Sequence, residues 1–209
     1  TVKNSPQAES EAGQPGSWRK TRLVDRYSDR LFRDILVPVE NNAAGWQALD
    51  QALLVARREG AELHGVHLTT TDAQRTGSAA EALRAIFQQR CAAAGVAGSL
   101  LIETGDARRK VCERALLTDL VVLSAAHAPA AGLASLGSGL RDIIWNCARP
   151  VLAVPGAATP LQRALLPYDG SPKAKEALFV AAYLAEQWHT SLMVLALLDG
   201  ERVTDSVLD

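Results

Sequence analysis

Short apolar runs alternate with amphipathic stretches along most of the chain. The runs are rich in Val, Leu and Ile, as strands buried on both faces of a parallel sheet are. They cover residues 34–40, 62–69, 99–103, 119–124 and 150–155. Between them, apolar side chains recur at helical spacing over residues 44–59, 78–94, 107–117 and 139–148. Strands that alternate with helices predict βαβ units, and therefore an α/β fold with a mainly parallel sheet.

The N-terminal segment, residues 1–30, is predicted to be a polar linker or extension ahead of the first domain. Residues 1–17 carry Pro, Gly and Ser with almost no apolar side chains, so they cannot bury enough surface to fold. Residues 18–33 place aromatic and aliphatic side chains among charges, which predicts an amphipathic helix. Two settings for this helix are open: it docks onto protein, or it lies on a membrane.

Part of the chain is repeated further on, in an ungapped alignment that places Asp34 over Arg163. The matches fall on strand ends and on the buried face of a helix, which indicates an internal repeat of a domain. We therefore expect a complete domain over residues 31–157 and a partial second copy, strand–helix–strand, over 158–209. Because such a fragment cannot close its own core, we expect either a longer chain or packing against another subunit.

Composition excludes several function classes. The 209 residues carry a net charge of −1, which argues against a general nucleic-acid binder. No apolar run approaches the ~20 residues that a membrane span needs. The three cysteines are far apart and form no CxxC pair, so we expect reduced thiols in a cytoplasmic protein.

The clearest candidate chemistry lies between residues 119 and 155. A buried strand is followed by a small-residue loop that ends in Gly137-Ser138-Gly139, and then by a helix. Such a loop delivers a helix N-terminus to the edge of the sheet, where free N–H groups and the helix dipole favour anions. Two interpretations are open: a phosphate-binding loop, or a glycine-rich turn in which Ser138 caps the helix.

These features resemble the universal stress protein family. The opening strand reads ILVPVE, and the second copy reads LLPYDGS, against a family pattern of roughly V-P-V-D-G-S. Nucleotide-binding members carry Gly, two residues, Gly, nine residues and then Gly-Ser or Gly-Thr, followed by a helix and a Pro-Val strand. Gly137-Ser138 and Pro150-Val151 match the end of that pattern. The resemblance covers residues 31–157 completely and 162–199 in part, as in the tandem type with two domains.

The resemblance implies a fold and a mode of pairing. The fold is a doubly wound, five-stranded, mainly parallel sheet with helices on both faces, Rossmann-like and similar to adenine nucleotide alpha hydrolases. Pairing runs through the last strand, here Val151–Pro155, and joins either a homodimer or two tandem domains. An unpaired last strand is a free edge, and proteins usually cover such edges.

The resemblance also implies a nucleotide site with ATP as its cofactor. The residues that it assigns to the site are Pro38, Val39, Glu40, Leu123, Ser124, His127, Gly137, Ser138, Gly139 and Leu140. Three of them depart from the family. Glu40 replaces the aspartate that recognises the adenosine end. Ser124 and His127 replace glycines, whose missing Cβ lets the backbone approach phosphate. The first domain thus keeps about half of the pattern, and the second copy keeps Asp169-Gly170-Ser171.

Three functions remain open. The first is a non-catalytic stress-response or regulatory protein that acts by association with a protein partner and has a degenerate nucleotide site. The second is an ATP-binding switch that uses the Gly137-Ser138 loop. The third is a cytosolic regulatory domain of a larger protein, for example a membrane protein.

Catalysis and metal binding find little support in the sequence. Ser124 and His127 lack a G-x-S-x-G elbow and an orienting acid, so we expect no hydrolase and no enzyme. His64 and His67 are three residues apart on a predicted strand, so they point to opposite faces and cannot share an ion. We interpret both histidines as packing or hydrogen-bonded residues and predict no metal site.

Overall fold

The computed structural model describes residues 30–125 and 138–196. The strands are β1 (Asp34–Pro38), β2 (Glu62–Thr69), β3 (Gly98–Thr104), β4 (Leu120–Ser124), β5 (Val151–Val154), β6 (Arg163–Tyr168) and β7 (Ser191–Ala196). The helices are α1 (Ala43–Glu59), α2 (Ser78–Ala94), α3 (Ala107–Ala115), α4 (Ser138–Asn146) and α5 (Pro172–Trp188), with a single 3₁₀ turn at Asp72–Arg75. Among the described residues, no helix is both long and apolar enough to cross a bilayer.

The first five strands form one parallel sheet in the order β3-β2-β1-β4-β5. Helices α1 and α2 cover one face, where Leu49 and Phe87 pack on Ile35 and Leu63 of the sheet. Helices α3 and α4 cover the other face around Leu36. This arrangement confirms the predicted doubly wound α/β sheet, and every predicted strand and helix in this part of the chain is present to within two residues at each end.

The predicted amphipathic helix over residues 18–33 lies largely outside the described residues, and its last part is wrong. Residues 30–33 are not helical. The backbone N–H of Phe32 donates to the Glu59 carboxylate, and that of Arg33 donates to Asp119. Because distant side chains take these N–H groups, the segment approaches β1 as irregular chain.

Strands β6 and β7 pair with each other in a separate parallel sheet, with α5 between them in sequence. The pairing of Arg163 with Ser191 repeats that of Asp34 with Glu62, as the alignment of the two copies requires. The bounds of α5 repeat those of α1 in the same alignment. The second βαβ unit therefore has the layout that the sequence repeat predicts, while its membership of a complete second domain stays a prediction.

A buried carboxylate joins the two copies. Glu59, at the end of α1, accepts hydrogen bonds from the Tyr183 hydroxyl at 2.8 Å and from the Trp188 indole N–H at 2.6 Å, in addition to the one from Phe32. Gln51 and Thr159 exchange a second pair of hydrogen bonds at 2.8 and 3.1 Å. These contacts fix α5 and the linker after β5 against α1.

Candidate functional site

A crevice forms where the strand order reverses, at the carboxyl ends of β1 and β4. The chain leaves β1 towards α1 on one face and leaves β4 towards α4 on the other. Doubly wound sheets bind ligands at such switch points. The predicted nucleotide residues converge here from two strands and one helix.

The predicted site residues differ in how far they are buried. Pro38 and Val39 at the end of β1, and Leu123 and Ser124 at the end of β4, are buried. Glu40, Gly139 and Leu140 are partly exposed. Ser138 begins α4, whereas His127 and Gly137 lie outside the described residues. The structure thus brings the described members of the set to one edge, and their role in binding stays a prediction.

Glu40 is held against the first turn of α1. Its carboxylate accepts a hydrogen bond from the Asn42 side-chain amide at 2.9 Å. The Asn42 side-chain oxygen Oδ1 in turn accepts from the backbone N–H of Gly45 at 2.8 Å and caps the helix. A Cβ on Gly45 would lie 2.3 Å from the Glu40 carbonyl oxygen, so only glycine permits this close packing.

A cavity of about 330 Å³ opens beside Asn41, between β2 and α2. It is lined by Asn41, His67, Leu68, Thr69, Thr70, Gln74, Ala79, Ala80 and Leu83. His67 Nδ1 donates to the Val39 carbonyl oxygen at 2.7 Å, because a carbonyl can only accept. In the neutral ring this contact leaves Nε2 as an acceptor for a ligand.

His67 is the site residue that the sequence analysis missed. The interpretation of His67 as a hydrogen-bonded residue is confirmed by its contact with Val39, but its place in a cavity lining was not predicted. Its position at the carboxyl end of the second strand, beside the end of the first, was the available signal. His64 lies on the opposite face, where its Nε2 is 2.7 Å from Asp34, which confirms that the two histidines cannot share an ion.

Charges near the start of α4 are paired within the protein. Asp142 lies 3.9 Å from Arg108 of α3, and Arg141 stacks over the Trp145 ring. Burial raises the pKa of the Cys112 thiol, so this side chain remains protonated and weakly nucleophilic at neutral pH. The charges of Arg141 and Asp142 are therefore engaged within the protein.

The chain is similar to known proteins over most of its described residues. The model of the universal stress protein family matches residues 31–155. A universal stress protein from Archaeoglobus fulgidus matches with a TM-score of 0.67 at 17% identity, over 85% of this chain and 70% of its own.

Two smaller structures also match. A universal stress protein in complex with cAMP has a TM-score of 0.50 at 20% identity, over 60% of this chain and 98% of its own. An Arabidopsis thaliana family protein with AMP bound has a TM-score of 0.45 at 17% identity, over 60% of this chain and 93% of its own. A search of curated proteins finds no match to the chain. At these identities the two structural matches with TM-scores of 0.67 and 0.50 establish the fold alone.

Proposed function

Because the chain belongs to the universal stress protein family, we propose that it is a non-catalytic regulatory protein whose first domain binds an adenine mononucleotide. The observation that carries this proposal is the cavity at the carboxyl end of β2, beside the segment that follows β1, into which His67 contributes a fixed ring. Its volume is within the usual range for small-ligand sites, and it adjoins the switch point of the sheet.

The nucleoside end fits the polar lining of the cavity. With Nδ1 committed to the Val39 carbonyl, His67 Nε2 can accept a hydrogen bond from the amino group of adenine. Asn41 supplies a further donor and acceptor for base or ribose, and the hydroxyl oxygens of Thr69 and Thr70, whose protons are donated within the protein, can accept. The apolar side chain of Leu83 offers a surface for the ring.

The part of the site that would hold the phosphates favours a mononucleotide over ATP. By the family resemblance, Gly137-Ser138 at the start of α4 provides one anion-binding turn. Ser124 and His127 stand where close backbone approach to further phosphates needs glycine. The cAMP complex of a structural relative agrees with this choice of ligand class. The ATP-binding switch remains the competing candidate because Gly137-Ser138 itself is kept.

We propose that the regulatory output is association through β5. Within the described residues β5 pairs only with β4, which leaves its outer edge for a second copy or for a completed second domain. Trp145 of α4 is 76% exposed, and Ile144 is exposed beside it. Light scattering tests this: Trp145→Lys should lower the dimer fraction, and a monomeric parent chain would contradict the proposal.

Calorimetric titration with AMP, cAMP and magnesium ATP tests the nucleotide site. His67→Phe keeps the ring volume but removes both nitrogens, and we expect all three affinities to fall about tenfold, the size of one good hydrogen bond. Gly137→Val should weaken each nucleotide but leave adenosine unchanged. His189→Asn, which changes a histidine at the end of α5, is the matched control.

The outcomes separate the candidates. Tighter binding of AMP or cAMP than of ATP supports the proposal. Tighter binding of ATP, lost in Gly137→Val, would establish the ATP switch instead. No binding of any nucleotide would mean that Ser124, His127 and Glu40 have closed the site, and that the protein acts by association alone.

A further inference from the structure

A second cluster of polar side chains lies at the amino ends of β1 and β2. The nucleotide crevice lies at the opposite, carboxyl ends of the strands. Asp34, Glu62 and His64 each place one potential ligand atom within 4.8 Å of the others. We infer that these three residues bind one divalent transition-metal ion, with Zn²⁺ as the ion that fits best. Imidazole nitrogen and carboxylate oxygen are common zinc ligands.

The strand register holds the three residues together. Asp34 pairs directly with Glu62, and His64 follows two residues later on the same strand. Paired and alternate positions share one face of a sheet, so all three side chains project from the face that α3 and α4 cover. The sequence analysis predicted no metal site because the ligands come from two strands, and spacing along one strand does not show them.

The cluster concentrates negative charge. Two carboxylates on directly paired strand positions repel each other. A third carboxylate, Asp119, is anchored nearby by hydrogen bonds from the backbone N–H groups of Arg33 and Asp34 at 3.0 and 3.2 Å. A divalent cation would replace the His64–Asp34 hydrogen bond and neutralise this charge.

A cavity of about 440 Å³ adjoins the cluster and is lined in part by Asp34 and His64. Both side chains are about one-third to one-half exposed, so an ion can reach them from solvent. Arg114 also lines this cavity, but its guanidinium binds both Glu103 oxygens at 2.6 and 3.0 Å. Three protein ligands beside open space leave a fourth coordination position for water or an external ligand.

The second copy provides an internal contrast. In the alignment of the two copies, Arg163, Ser191 and Met193 occupy the three positions. The strands there have the same pairing but present no comparable ligand set. The proposed metal site is therefore a property of the first copy, and it lies far along the strands from the nucleotide crevice.

The test is titration of the full chain with Zn²⁺ and with Co²⁺. Cys112→Ser and Cys147→Ser are introduced first, so that thiolates do not compete for the metal. We expect one zinc per chain in this parent. His64→Gln and Glu62→Gln should each weaken zinc binding by at least about tenfold, since changes that only reorient a ligand already cost that much. His189→Asn is the matched control for a surface histidine.

Two further readouts keep the result independent of folding. Zinc should raise the melting temperature of the parent but not that of His64→Gln, while both should have the same circular dichroism without metal. The Co²⁺ absorption bands of the parent should change in His64→Gln and not in His189→Asn. Unchanged zinc affinity in His64→Gln and Glu62→Gln, or loss of binding in the control, would overturn the proposal without affecting the nucleotide site.

Discussion

The two copies of the βαβ unit share one backbone layout but differ sharply in burial. Leu36 of β1 is 1% exposed, whereas its counterpart Leu165 of β6 is 59% exposed. Val66 of β2 is 1% exposed, and its counterpart Leu195 is 51% exposed. The apolar pattern therefore determines where strands form, but it does not by itself bury them.

The difference in burial comes from the helices that follow later in the first copy, α3 and α4. In the first copy, Leu36 and Val66 lie under Val111 of α3 and Ile143 of α4. The described part of the second copy has only α5, which covers the opposite face. We propose that equivalents of α3 and α4 cover the exposed face, either from a completed second domain or from a second chain.

The largest expected effect concerns the contact between the copies. Glu59→Ala should lower the free energy of unfolding by about 2–6 kcal/mol, because it removes the acceptor of two partly buried donors, the Tyr183 hydroxyl and the Trp188 indole N–H, at about 1–3 kcal/mol each. Urea unfolding measures the loss. Glu186→Ala, an exposed carboxylate on α5, should change stability by less than about 0.5 kcal/mol.

A result below about 1 kcal/mol for Glu59→Ala would show that the hydrogen bonds do not join the copies. Limited proteolysis sharpens the test. Loss of the Glu59 contacts should expose the segment from β6 to β7 to cleavage before the five-stranded sheet, because few other buried side chains hold that segment.

The next prediction compares equivalent leucines directly. Leu36→Ala should cost about 2–5 kcal/mol, because it leaves a cavity under α3 and α4. Leu165→Ala should cost less than about 1 kcal/mol in the isolated chain, since that side chain is already largely in water. Urea unfolding of both variants at low protein concentration measures the difference. Equal costs would mean that β6 is covered in solution.

The sequence was sufficient to predict the elements but not their contacts. Apolar periodicity located the strands and helices, and the repeat located β6, α5 and β7. Nothing local marks Glu59 as the acceptor for Trp188, because the two residues are far apart in the chain and only the fold joins them. His67 was missed as a site residue for the same reason, since its significance depends on the neighbouring carbonyl of Val39.

Residues of the candidate site could be predicted only where they belong to a sequence motif of the family. The ends of β1 and β4 were placed by resemblance, and the fold brings them to one edge. The polar lining of the adjoining cavity comes from three places that no motif joins: the segment after β1, the end of β2 and the 3₁₀ turn that contains Gln74. The cluster of Asp34, Glu62 and His64 depends on strand pairing, which one sequence does not reveal.

A smaller effect is expected at the start of the helices. Gly45→Ala should cost about 1–3 kcal/mol, because the added Cβ meets the Glu40 backbone. The counterpart in the second copy, Ala174, already carries a Cβ. Ala174→Gly should therefore cost only about 0.5–1 kcal/mol through backbone entropy. Thermal unfolding measures both, and a neutral Gly45→Ala would mean that the first turn of α1 can move away from Glu40.

The smallest expected effect on stability concerns the residues just before α5, where Asp169 is the counterpart of Glu40 before α1. Asp169 accepts hydrogen bonds from the side chain and backbone of Ser171, and these hold the pKa of Asp169 below its ordinary value of 3.8. A carboxyl whose pKa is lowered on folding adds stability above that value and loses it as the pH falls further. Ser171→Ala should move the pKa of Asp169 up towards 3.8, as carboxyl NMR titration would show. The same variant should cost about 1 kcal/mol through the lost helix cap.

Ser171→Asn is the informative partner of that variant, because it transfers the cap of the first copy to the second. Asn42 caps α1 and donates to Glu40, so an asparagine at position 171 should both cap α5 and keep the pKa of Asp169 low. We expect Ser171→Asn to match the parent in stability within about 0.5 kcal/mol, since Asn and Ser are comparable caps. If it is as unstable as Ser171→Ala, the two helix starts are not interchangeable, and the departure at Glu40 has changed the geometry of the first copy rather than only the length of one side chain.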